Sequence, residues 1–194
     1  MISAKRLPPW AFLLAAPVIL ALQALILWAM GRGLVCTCGY IKLWHGVVHS
    51  SENSQHLLDW YSFTHVVHGL ILYFLLWLVL PRAPIALRLA LAVAIEGAWE
   101  IFENSDFIIT RYRAGTASFD YYGDSIVNSI SDNVAMMVGF ALAFLLPAWS
   151  VVALAAIIEI ALGVLIHDNF TLNILMVVHP IEAIKAWQAT APLQ

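Results

Sequence analysis

The sequence predicts an all-α fold, a polytopic helical membrane bundle of about six transmembrane helices with a polar cavity open to the periplasmic side. Three observations carry this. Hydrophobic residues make up 62% of the 194, charged residues only 11%, and the mean hydropathy is +0.87. Soluble domains run at roughly 45–50% and 25% respectively, and a body this small cannot bury so much apolar surface. The apolar residues also fall into runs of the length that about 30 Å of hydrocarbon demands. Nine basic against twelve acidic residues give a net charge of −3, which leaves no electrostatic footprint for nucleic acid.

The elements follow in chain order, as a single integral membrane domain over 1–194. The first span runs over 10–30, preceded by Lys5 and Arg6; it is too long for a signal peptide, and no small-residue cleavage site follows it. The second covers 63–80 and is ended by Pro81, and the third covers 85–102 after Pro84. The fourth, 126–146, stops at Pro147, and the fifth covers 149–166. The sixth, 172–187, is short and interrupted by His179-Pro180, so five spans is the alternative count. The long outer loops are 31–62 and 103–125. Six spans with both termini cytoplasmic leave five basic residues inside (Lys5, Arg6, Arg82, Arg88, Lys185) and four outside (Arg32, Lys42, Arg111, Arg113).

Polar residues collect at one end of this bundle. Residues three or four apart share a helix face. His65 and His68 are one such pair. Glu96, Glu100 and Glu103 form a stripe at i, i+4, i+7, and Asp124, Asn128 and Asp132 form another at i, i+4, i+8. Glu159 and His167 mark the fifth span in the same way. A charge facing lipid at such depth is unfavourable by about 2.5–3.5 kcal/mol, so these stripes predict an outward-facing cavity walled by spans two to five.

Two histidines with carboxylates on facing helices are the material of a metal site inside a bundle, and they suit a divalent Zn, Mn or Fe ion. His65, His68, Glu100 and Asp124 are the candidate ligands. Glu96, Glu100 and Asp132 are the candidate catalytic carboxylates, because crowding in low dielectric shifts their proton affinities. The expected activity is hydrolysis or group transfer on a lipid or amphiphilic substrate at the periplasmic face. The alternatives are a non-enzymatic factor that binds a metal, a lipid or a partner protein, and a proton or ion relay. Against transport, the polar set stops halfway across, with only Gln23 deeper in.

The first outer loop is dense in polar groups. His45, His49, Glu52, Asn53, His56 and Asp59 predict a substrate-binding lid, on an interfacial helix if the i, i+4 spacing of His45 and His49 is helical. Glu103, Asn104 and Asn128 join them as substrate-binding candidates. Cys36 and Cys38 are the only cysteines; they read as a disulfide of unusual spacing, a redox pair, or a soft-metal clip with His45.

The run Cys36-Thr37-Cys38-Gly39, Lys42-Leu43-Trp44, Ser51 to His56 and Asp59-Trp60-Tyr61, then His65 and His68-Gly69, resembles a bacterial multi-pass inner-membrane family of unknown function. So do Trp99-Glu100 with Glu103-Asn104, and Tyr122 to Ser125 with Asn128-Ser129 and Asp132. The resemblance covers nearly the whole chain and implies location and topology, not chemistry. A glutamate-bearing helix, a polar loop and a helix opening in aspartates also resemble, more distantly, the VanZ-like and YjdF-like membrane proteins.

Overall fold

A computed structural model describes residues 14–116 and 120–191. Among them are eight helices and no strand beyond one isolated bridge, Trp44 to Leu58. The helices are α1 (Ala15–Ala29), α2 (Ser62–Val79), α3 (Ile85–Glu103), α4 (Asp106–Gly115), α5 (Ile126–Leu145), α6 (Ala148–Leu165), α7 (Phe170–Val178) and α8 (Glu182–Gln188). Three of them, α2, α5 and α6, are long and apolar enough to cross a membrane. Helix α3 has 19 residues but carries Arg88, Glu96, Glu100 and Glu103. The start of the expected first span, with Lys5, Arg6 and Trp10, lies outside the described residues.

Local chemistry sets the ends. Helix α1 closes on Gly31 at φ +84°, where Gly31 N–H donates to Trp28 O and Arg32 N–H to Leu27 O; this left-handed closure is cheap only for glycine. The side chains of Ser105, Ser125 and Asn169 cap α4, α5 and α7 by accepting from backbone N–H groups. Prolines stand just before the first residues of α3 and α6.

Burial is inverted relative to a soluble protein. Glu100, Asn104, Asn128, Ser129 and Asn133 are 0% exposed, whereas Trp28, Val79, Leu145 and Trp149 are at least 70% exposed. This arrangement, polar groups inward and apolar side chains outward, suits a bundle surrounded by hydrocarbon. Helices α2 and α5 form the tightest pair, and α6 packs beside α2 with most of its surface outward. Gln23 of α1 reaches into the interior, where its amide donates to Ser129 Oγ at 2.8 Å and accepts from Asn133 Nδ2 at 3.1 Å.

Three expectations change. The stretch 172–187 is not one span: α7 has nine residues and α8 seven, separated at His179-Pro180-Ile181. Nine residues reach only about 14 Å, and Pro180 has no N–H to continue the ladder. The described C-terminal residues also fold back onto the outer loops, where His49 Nε2 meets Gln188 O at 3.3 Å and Lys185 Nζ reaches Ala114 O. The expected sixth span is therefore not present as one continuous helix among the described residues. Second, the loop 103–125 contains a helix, α4, that packs against α7. Third, the lid is not helical: the described backbone from Arg32 to Tyr61 runs through turns. It is stitched to α5, whose first amides donate outward, Ile126 N–H to Gly33 O and Val127 N–H to Leu34 O. Ser125 N–H donates to Ser54 O, and Asn128 Nδ2 donates to His56 O. The loop thereby satisfies helix-terminal donors that have no intrahelical acceptor.

Candidate metal centre

Helices α2 and α3 bring His65, His68 and Glu96 to one point. Glu96 Oε1 lies 2.6 Å from His65 Nδ1 and 2.8 Å from His68 Nδ1, and Glu96 Oε2 is 3.0 Å from His68 Nδ1. A carboxylate only accepts, so each contact is a hydrogen bond when that Nδ1 carries the proton, and each Nδ1 is open to an ion when it does not. Glu100 stands one turn along α3. Its Oε2 accepts from Ser129 Oγ at 2.7 Å, while its buried Oε1 has no hydrogen-bond partner and sits 3.3 Å from His65 Nδ1. Asp132 on α5 accepts from Ser62 Oγ at 3.0 Å and places Oδ2 3.9 Å from His65 Nε2, on the far side of the imidazole.

Beside this cluster is a polar cavity of about 50 Å³, room for a few waters. His65, His68, Glu103, Asp124, Asp132 and Asp168 all reach it. Burial pushes Asp124 up to about 6 and Asp168 up to about 7. Burial likewise raises Asp59, whose carboxylate accepts from the backbone N–H groups of Ser54 and Tyr61.

The remaining sequence candidates divide into those that support the cavity and those that hold the lid. Glu103 accepts from Tyr112 OH at 2.9 Å. Asn104 Nδ2 donates to Asp124 Oδ2 at 2.7 Å, Tyr121 OH donates to Asp124 Oδ1 at 3.0 Å and Asn104 Oδ1 accepts from Asp124 N–H, so both carboxylate oxygens of Asp124 are engaged. Asn53 lines the cavity. In the lid, Glu52 accepts from Lys42 at 2.5 Å, Tyr40 at 2.8 Å and His56 at 3.0 Å, and the Lys42 ammonium foremost holds its carboxyl down at about 2. His56 Nδ1 accepts from Lys42 N–H, so both of its nitrogens are occupied. His45 Nε2 meets Val47 O and Ser50 Oγ. Cys36 and Cys38 are joined as a disulfide, with His56, not His45, as the histidine beside them.

The Glu159 and His167 stripe does not wall the cavity. Glu159 accepts from Phe170 N–H, Thr171 N–H and Thr171 Oγ1 at the start of α7, favourable for a carboxylate at a helix N-terminus, and His167 stacks on Trp187. Sequence reasoning missed Asp168, Tyr112, Tyr121 and Asn173. Asp168 directly follows His167, and that adjacency was the available signal. Tyr112 and Asn173 lie on stretches read as a loop and as a continuous span.

A family model described as protein of unknown function (DUF2585) matches residues 27–190. The chain belongs to the DUF2585 family. Similar relatives are UPF0314 proteins. One from Paracoccus denitrificans is 51% identical, covering 97% of this chain and 96% of its own. One from Rhizobium meliloti is 53% identical over 95% and 93%, and one from Agrobacterium fabrum is 46% identical over 98% and 96%. The resemblance to a bacterial family of unknown function therefore holds, while the VanZ-like and YjdF-like likeness is not shown by these matches. No solved structure matches the chain.

Proposed function

We propose that the DUF2585 chain holds a divalent metal ion at His65, His68 and Glu96 and uses it to hydrolyse, or transfer a group from, a lipid or amphiphilic substrate. The observation that carries this is the buried, unpartnered Oε1 of Glu100 beside the two imidazoles that converge on Glu96. An unsatisfied buried acceptor is costly, and here it faces the place where a fourth ligand or a water would sit.

Three protein ligands with an adjacent carboxylate base is the arrangement of a catalytic site, as opposed to a closed structural one. Zn, Mn and Fe all accept this donor set. A bound ion would supply Lewis acidity and make a water acidic. Asp132 Oδ2, 3.9 Å from the distal nitrogen of His65, is the carboxylate placed to orient the ring once Nδ1 holds the ion. As the adjacent base, Glu100 Oε1 would take the proton of the water as it adds to the ester carbonyl or phosphoryl centre, and would return that proton to the leaving oxygen as its bond breaks. A proton relay is less well supported. Among the described residues, the hydrogen bonds inward from Glu100 continue through Ser129 to the amides of Gln23 and Asn133.

We place the cavity on the periplasmic side of an inner membrane, with five crossings and a cytoplasmic N-terminus. Moving Lys185 to the outer side leaves four basic residues inside and five outside, so charge does not decide the orientation. The Cys36–Cys38 disulfide supports it, because disulfides persist in the periplasm and not in the cytosol.

The test is elemental analysis of unchelated, detergent-solubilised protein beside a His65→Ala, His68→Ala variant. Near-stoichiometric Zn, Mn or Fe that disappears in the variant supports the centre; metal-free wild-type protein overturns it.

A further inference from the structure

We infer that the substrate is a bilayer lipid that enters sideways, with one acyl chain lying in an apolar groove between α2, α3 and α7 and its polar end at His68 and Glu96. This rests on the metal-site reading for its chemistry, but the groove stands on its own geometry. It is an open cleft of about 210 Å³ whose sides are Ile71 and Leu72 of α2, Ile95 of α3 and Ile174 of α7. His68 and Glu96 line it too, so the apolar groove borders the ligand cluster. His68, Trp99 and Phe170 also line the polar cavity. Phe170 and Trp99 each pack edge-on to His68, at 4.9 Å and 5.9 Å, so the imidazole stands between an apolar compartment and a polar one.

The occupant follows from where the groove lies. It is cut into the flank of α2, one of the helices apolar and long enough to cross a membrane. Ile71 and Ile95 are exposed there, and on such a helix the medium beside them is hydrocarbon. A channel with aliphatic walls open to hydrocarbon takes an acyl chain, and its polar end takes the group to which that chain is attached. Above the site the lid is tied down, its backbone carbonyls at Gly33, Leu34, Ser54 and His56 bonded to the start of α5.

The experiment reconstitutes the full chain in vesicles of phosphatidylethanolamine and phosphatidylglycerol that contain a phosphatidylglycerol bearing a photoreactive diazirine within one acyl chain. Illumination and peptide mapping then read where the chain lies. Labelling at Ile71, Leu72 and Ile174 above the level on the outward face of α6, where Val152, Ile157 and Ile160 report random contact, is the expected result. Ile95→Trp, which fills the groove from an exposed position, abolishes that excess and leaves α6 unchanged. Equal labelling of groove and α6, or an excess unaffected by Ile95→Trp, overturns the inference. Metal content measured on the same samples separates the two readings. Metal without groove labelling overturns the lipid route alone, and groove labelling without metal overturns the hydrolytic centre alone.

Discussion

Gly69 and Gly139 lie backbone to backbone where α2 crosses α5. A Cβ built on Gly69 would stand 2.9 Å from the carbonyl carbon of Gly139 and 2.0 Å from Met136 O. A Cβ on Gly139 would stand 2.0 Å from Val66 O. Small residues that permit such approach are how helices associate without a hydrophobic force between them. This contact fixes the depth at which His65 and His68, on the adjoining turn of α2, meet α3. Gly139→Ala and Gly69→Ala are expected to destabilise the bundle by at least about 1–3 kcal/mol, read as a lower thermal midpoint in detergent. Unchanged midpoints in both variants would show that the contact is not needed.

The roles assigned to two glutamates of α3 separate experimentally. Glu96→Gln is expected to lose the metal, since Glu96 meets both imidazoles. Glu100→Gln is expected to keep the metal and lower turnover of vesicle lipids by about 10²–10⁴-fold, the contribution of a positioned general base. Elemental analysis and lipid chromatography on the same preparations check both. A factor that only binds would show no turnover to lose.

Gln23 ties α1 to the interior through Ser129 and Asn133. Gln23→Leu leaves those partners without its amide and is expected to cost about 1–2 kcal/mol, measured by thermal unfolding. Because Ser129 also holds Glu100, the same variant should lower turnover at unchanged metal content.

Asp168 titrates at about 7 in the fold because of its burial, against 3.8 for an ordinary aspartate. The folded state therefore favours the neutral acid. That stability is fully present below the unfolded value and is lost as pH rises through the folded one. Asp168→Asn, which stays neutral, is expected to gain on wild type as pH rises from about 4 to about 7 and to hold a constant advantage above that. Unfolding midpoints at stepped pH check the trend, and a pH-independent difference would contradict it.

Cys36 and Cys38 report on topology, being the chain's two cysteines. In intact cells, a membrane-impermeant maleimide is expected to label the chain from the periplasm after reduction and to leave it unlabelled before. Labelling only after lysis would invert the orientation.

Much of the bundle was legible because transmembrane helices announce themselves by length and by flanking prolines. The spans expected at 63–80, 85–102, 126–146 and 149–166 form helices within a residue at each end. The polar stripes of α2, α3 and α5 also came together, since a 3.6-residue period fixes which side chains share a face. The stretch after residue 166 failed for a physical reason. Its apolar composition suits a span, but Pro180 breaks the ladder and Asn169 starts a fresh helix by capping Leu172 N–H. The lid failed differently: the spacing of His45 and His49 is helical, yet the loop's hydrogen bonds go to α5 and to Glu52. Which carboxylate faces both histidines depends on how α2 and α3 are rotated against one another, and no spacing within one helix encodes that.

The seam between the lid and α5 has a kinetic consequence. A cover bonded at these positions opens less readily than a free loop. On the proposed acyl-chain route, the governing variable would be the mole fraction of the target among its neighbours in the leaflet and not the concentration of dissolved molecules. Turnover should then obey surface-dilution kinetics: diluting the substrate with inert lipid slows the reaction, while adding more vesicles of the same composition does not speed it.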